Sequence, residues 1–92
     1  MAVEVRVTSL LQKQLQGKRS VMVEGKTVGE ALDNLERAYP GVKGLVLSED
    51  GRLHRFVNIF LNDEDVRFVG ELEAPVSDGD VIAIMPALAG GS

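Results

Sequence analysis

The sequence predicts an α+β domain: one main helix packed across a mixed sheet of about four to five strands. Three observations carry this expectation. Apolar and polar residues alternate with period two in VEVRVT (3–8), the pattern of a half-buried strand, and LHRFVNIFL reads as a strand with two unequal apolar faces. A capped amphipathic stretch, TVGEALDNLERAYPG, lies between them. Turn-forming Asp-Gly pairs precede both later strands, in EDGR and in VSDGD.

Taken in order, Val3, Val5 and Val7 alternate with Glu4, Arg6 and Thr8 to give the first strand. SLLQKQLQGKR then reads as a long hairpin connection, closed by Gly17-Lys18 before a second strand in SVMVEG. Thr27 and Glu30 have the N-cap and N3 spacing of a capping box, which would satisfy orphaned amides of a helix start. Val28, Ala31, Leu32, Leu35 and either Ala38 or Tyr39 share one stripe of that helix, and Pro40-Gly41 stops it. The following VKGLVLSED is less regular. LHRFVNIFL makes the third strand, with Val57, Ile59 and Leu61 on one face and Phe56, Asn58 and Phe60 on the other. NDEDVRF reads as a turn with a short extended piece, and VIAIMP as the last strand. The resulting order β-β-α-β-(short β)-β is that of the β-grasp, or ubiquitin-like, architecture. Residues 1–86 are expected to form this domain and 87–92 a flexible tail.

Composition narrows the function. The chain has 92 residues, 45% of them hydrophobic, and no cysteine, so a disulfide, a thiolate nucleophile and a cysteine metal site are all excluded. Fourteen acidic against ten basic residues, a net charge of −4, argue against binding nucleic acid by neutralising phosphates. No apolar run approaches the ~20 residues of a membrane span, and the N-terminus lacks the basic start and apolar block of a signal peptide. A cytoplasmic protein is expected.

No catalytic constellation is legible. His54 has neither a cysteine partner nor a serine-elbow motif and reads as a surface or loop histidine. Asp63, Glu64 and Asp65 lack the spacing of a calcium loop and read as a solvated turn. The glycines of VEGKTVGE fit neither phosphate-loop nor dinucleotide spacing.

The end of the chain is more informative. From Pro86 through Gly91, six residues can extend roughly 20 Å, enough to carry a terminal group into a partner's active site. Gly90 and Gly91 lack a β-carbon and can thread a narrow channel. Leu88 and Ala89 add small apolar contacts just upstream. A carboxylate at Gly91 would be a poor acceptor for a nucleophile until another enzyme activated it.

With MPALAGGS at the end of a β-grasp order, and with LHRFVNIFLNDEDVRF and DGDVIAIMPALAGG in sequence, the chain resembles the MoaD/ThiS family of sulfur-carrier proteins over essentially its whole length. Within that family it is most similar to the CysO-type carriers of cysteine biosynthesis. The resemblance implies a protein co-substrate, not an enzyme. An ATP-dependent activating enzyme of the ubiquitin-activating type would adenylate the Gly91 carboxylate, and a sulfurtransferase step would make a thiocarboxylate. A pyridoxal-phosphate cysteine synthase would take up the sulfur, and a zinc metalloprotease would release the product. ATP, pyridoxal phosphate and zinc would belong to those partners; the chain itself would bind no cofactor. The same chemistry could serve molybdopterin, thiamine or a secondary metabolite, and a ubiquitin-like protein modifier is the alternative class. Ser92 departs from the family ending because it turns the Gly91 carboxyl into a peptide bond. It reads either as a residue trimmed by a metalloprotease or as a remnant of cloning.

A docking face is expected beside the tail. If Val57, Ile59 and Leu61 face the helix, then Phe56 and Phe60 face away, joined by Met85 of the last strand and by Leu88. The competing expectation is that loops cover Phe56 or Phe60 as a satellite core.

Overall fold

The computed structural model describes residues 2–54 and 57–86. Five strands form one mixed sheet: β1 (Ala2–Val7), β2 (Ser20–Glu24), β3 (Val57–Leu61), β4 (Glu64–Asp65) and β5 (Val81–Pro86), in the spatial order β2-β1-β5-β3-β4. β1 and β5 run parallel at the centre, and every other pairing is antiparallel. The main helix, α2 (Val28–Ala38), packs on one sheet face, which is the β-grasp arrangement.

Period two decides what lies between sheet and helix. Val3, Val5, Ile59, Ile82 and Ile84 point inward from the strands and meet Val28, Ala31, Leu32 and Leu35 of α2, all buried. Among the described residues no polar or charged residue is buried as a whole, so the core is held by apolar burial. Tyr39, not the exposed Ala38, completes the helical stripe.

The helix start is capped with one difference from expectation. Thr27 Oγ1 accepts from the Glu30 N–H at 3.1 Å, but the Glu30 carboxylate reaches past Thr27 to the Lys26 N–H at 3.0 Å. The isolated bridge of Thr27 to Pro75 is made by their neighbours: Val28 N–H donates to the Ala74 carbonyl and Val76 N–H to the Lys26 carbonyl, each at 3.0 Å. The Lys26, Val28 and Glu30 N–H groups at the helix entrance are therefore satisfied.

Three stretches depart from the sequence reading. The first connection folds into a short helix, α1 (Ser9–Gln12), and a 3₁₀ turn at Lys13–Leu15, because Leu11 and Leu15 lie one turn apart and both reach the core. Gln16 and Gly17 end it in the left-handed region, at φ 58° and 85°. VKGLV forms α3 (Val42–Val46), burying Val42 and Val46. Its start is held by the Glu36 carboxylate, which accepts from the Gly41 N–H at 2.9 Å and the Lys43 N–H at 2.8 Å. β3 begins at Val57 instead of Leu53, because Leu53 makes an isolated bridge back to Leu47. No helix of the described residues is long and apolar enough to cross a membrane.

Candidate functional site

The strand that leads into the C-terminal segment is the central one of the sheet. β5 pairs on one side with β1, Val7 beside Ile84, and on the other with β3, Val57 beside Pro86. Its start is clamped as well. Asn62 donates its N–H to the Val81 carbonyl and accepts the Val81 N–H on Oδ1, each at 2.9 Å. Asp80 accepts the Ser77 N–H at 2.8 Å, and that bond, with help from the Asn62 side chain, holds its carboxyl below the usual aspartate range. Whatever follows Pro86 therefore leaves from a fixed base.

Alternation along β5 separates support from surface. Ile82 and Ile84 are fully buried, while Val81 and Ala83 are half-buried on the other face and Met85 is 44% exposed there. Register brings neighbours to that outer face: Arg6 and Phe60 flank Ala83, and Asn58 lies beside Met85. Because Ala83 is small, a groove of about 280 Å³ opens along the strand, bounded by Arg6, Thr8, Asn62, Asp63 and Met85. Its polar rim is ordered. Arg6 Nε donates to Glu4 Oε2 at 2.8 Å, which lowers the Glu4 carboxyl below its ordinary range. Thr8 Oγ1 is buried with no hydrogen-bond partner among the described residues.

Of the expected docking residues, Phe60 is half-buried on this outer face and is not among the side chains packed against the core. Met85 lies on the same face, as its strand position required. Phe56 lies outside the described residues, as do Leu88, Ala89, Gly90, Gly91 and Ser92. Arg67 was missed. Its Nη1 donates to Asn58 Oδ1 at 2.8 Å and its Nη2 to the Val57 carbonyl at 3.0 Å, covering the edge of β3 beyond the two-residue β4. Phe68, 82% exposed, was missed too. The spacing of Val66 and Phe68 suits one face of a strand, but Val66–Phe68 is a 3₁₀ turn, in which residues two apart diverge, so Val66 is buried and Phe68 is not.

The remaining candidates are structural. Asn62 and Asp63 both have positive φ, 51° and 71°, and form the two-residue turn of the β3-β4 hairpin. Asp65 accepts the Arg67 N–H at 2.9 Å and so caps the following 3₁₀ turn. His54 is half-buried in a loop, its N–H donating to the Val46 carbonyl at 2.8 Å. Among the described residues no group of three or more histidine, aspartate or glutamate side chains could hold a metal ion.

Comparison with known proteins agrees with this geometry. The ThiS family matches residues 5–91. The sulfur carrier protein CysO of Mycobacterium tuberculosis is 44% identical over 93 aligned positions, covering 99% of this chain and all of the relative. Small archaeal modifier protein 3 of Haloferax volcanii is 30% identical, with 86% of this chain and 88% of the relative covered. In the Amycolatopsis orientalis BexX/CysO complex, one chain superposes with a TM-score of 0.89 at 46% identity, covering 97% of this chain and 99% of that one. These relatives are named as carriers and modifiers, not as enzymes. The chain belongs to the ThiS/MoaD family of ubiquitin-like sulfur carriers.

Proposed function

We propose that this carrier works through the carboxyl group of Gly91, loaded as a thiocarboxylate and spent in cysteine biosynthesis. The observation that carries the reading is β5: a strand paired on both sides and clamped at its start, followed in the sequence by a Gly-Gly segment in a chain whose family match runs to Gly91. A rigid base with a slim end suits delivery of a terminal group into another protein's active site. In the first step the Gly91 carboxylate attacks the α-phosphorus of ATP and pyrophosphate leaves. In the second a sulfide nucleophile attacks the acyl carbon, AMP leaves, and the carbonyl carbon carries sulfur in place of one oxygen. Both steps belong to an activating partner. A pyridoxal-phosphate synthase then consumes the sulfur, and a zinc metalloprotease releases the product.

The outer sheet face, with Phe60, Met85 and the groove over Ala83, is where such a partner docks; the complex of a CysO relative with BexX is consistent with a carrier recognised by a second protein. Ser92 must be removed before loading, since a peptide bond leaves Gly91 no free carboxylate. The resemblance to small archaeal modifier proteins favours a second reading, in which activated Gly91 is joined to lysine amines. The test is intact-mass measurement of chains ending at Gly91 or Ser92 after incubation with ATP, an activating enzyme and sulfide. Loading only of the Gly91 form supports the carrier reading. Isopeptide adducts without sulfur incorporation would favour the modifier, and loading of the Ser92 form with Ser92 retained would overturn the assignment to Gly91.

A further inference from the structure

The two edges of the sheet are treated differently. Beyond β3 lies a strand of only two residues, and Arg67 occupies the Val57 carbonyl, so that edge offers nothing to extend. The β2 edge is five residues long and carries neither proline nor lysine within it. Val7 N–H donates to the Arg19 carbonyl at 2.8 Å, which fixes Val5 with Val21 and Val3 with Val23 as the bonded pairs of the β1-β2 ladder. The N–H and C=O groups of Ser20, Met22 and Glu24 consequently point away from the sheet. Asn34 Nδ2 donates to the Glu24 carbonyl at 2.7 Å and closes that position. Ser20 and Met22 stay open, with the Met22 side chain 61% exposed. A shallow depression of about 570 Å³, lined by Lys18, Ser20, Val21, Met22, Tyr39 and Glu4, runs beside them.

We propose that β2 pairs antiparallel with β2 of a second copy of this chain, about a two-fold axis through Val21. Outward-bonding residues must face outward-bonding residues, so the axis can fall on Ser20, Val21, Met22 or Val23. On Ser20, Met22 would meet Lys18, whose N–H already donates to the Leu15 carbonyl. On Met22, Ser20 would meet the closed Glu24 position, and Lys18 would lie opposite Lys26 of the other copy. On Val23, Met22 would meet the closed position. Only on Val21 does Ser20 exchange both bonds with Met22 of the other copy, twice, while Lys18 lies opposite Glu24, also twice. Open groups and charges select the same register. The two sheets become one of ten strands, and both β5 strands stay clear, since each is two strands, or about 10 Å, inside the new seam. A contact this small falls in the weak, transient class. The inference is independent of the sulfur-carrier chemistry.

The test combines sedimentation equilibrium with amide NMR over a dilution series from micromolar to millimolar chain. Average mass should rise toward the dimer at the high end, with concentration-dependent shifts centred on the Ser20 and Met22 amides. Lys18→Glu or Glu24→Lys alone should weaken association by about tenfold or more, by setting like charges opposite each other twice, and the double exchange should restore it. Met22→Lys should abolish it with the thermal midpoint unchanged, which keeps the test decisive if a charge variant fails to fold. A monomer at every concentration would overturn the proposal. So would failure of the double exchange to rescue, or shifts centred on Phe60 and Met85.

Discussion

Ile84 and Met85 are neighbours in one strand with opposite fates, and truncating each separates support from recognition. Ile84 is 0% exposed between the sheet and α2. Its change to alanine removes buried methyl groups and leaves a cavity, costing about 2–5 kcal/mol; at about 4–8 °C per kcal/mol for a domain of this size, the melting midpoint should fall by at least about 8 °C. Met85 is 44% exposed. Full burial of a methionine side chain is worth about 1.5–3 kcal/mol, so the exposed part can still contribute about 0.7–1.3 kcal/mol when a partner covers it. Met85→Ala should therefore weaken partner affinity by about threefold to ninefold, with a stability loss of about 1 kcal/mol or less. Thermal unfolding by circular dichroism and calorimetric titration against an activating enzyme read the two quantities separately. Unchanged affinity for Met85→Ala, or a midpoint shift for Ile84→Ala of under about 4 °C, would refute the assignment of faces.

Three further outcomes follow from local geometry. Thr27→Ala removes the acceptor for the Glu30 N–H and should cost about 1 kcal/mol in urea unfolding. Gly25→Ala should cost about 1–3 kcal/mol, because a β-carbon there would lie 2.8 Å from the Ala31 nitrogen and force the strand and helix apart. The carboxyls of Glu36 and Asp80 sit below their ordinary ranges, held chiefly by the Gly41 and Ser77 N–H groups respectively. A folded-state pKa that is lowered contributes stability above the unfolded value and loses it as pH falls through the folded one. The urea midpoint should thus hold steady near neutrality and drop below about pH 4, with a shallower drop in Glu36→Gln.

Legibility in the sequence followed the length of each periodic signal. The eleven-residue α2 has a cap, a stripe and a Pro-Gly stop, so its start, buried face and end were all readable. β1 was readable because period two persists through it, and β5 because a continuous apolar run follows the VSDGD turn. α1 and α3 were not, since four or five residues hold only a pair of apolar positions one turn apart, Leu11 with Leu15 and Val42 with Val46, and a loop can supply those equally well. The sheet order was beyond periodicity altogether, because nothing local states that β5 inserts between β1 and β3. At the site, Met85 and Phe60 followed from strand alternation. Arg67 did not, because its role depends on a side chain reaching back across a hairpin to Asn58 and to the Val57 carbonyl.

The central claim is that sulfur is carried at one atom position, the carboxyl carbon of Gly91. Tandem mass spectrometry of the C-terminal proteolytic fragment, after loading of the chain that ends at Gly91, measures this directly. One oxygen should be replaced by sulfur, confined to the fragment ion containing Gly91 and lost after alkylation and hydrolysis. Sulfur found on any other residue, or an unmodified Gly91 in a chain that still donates sulfur, would contradict it.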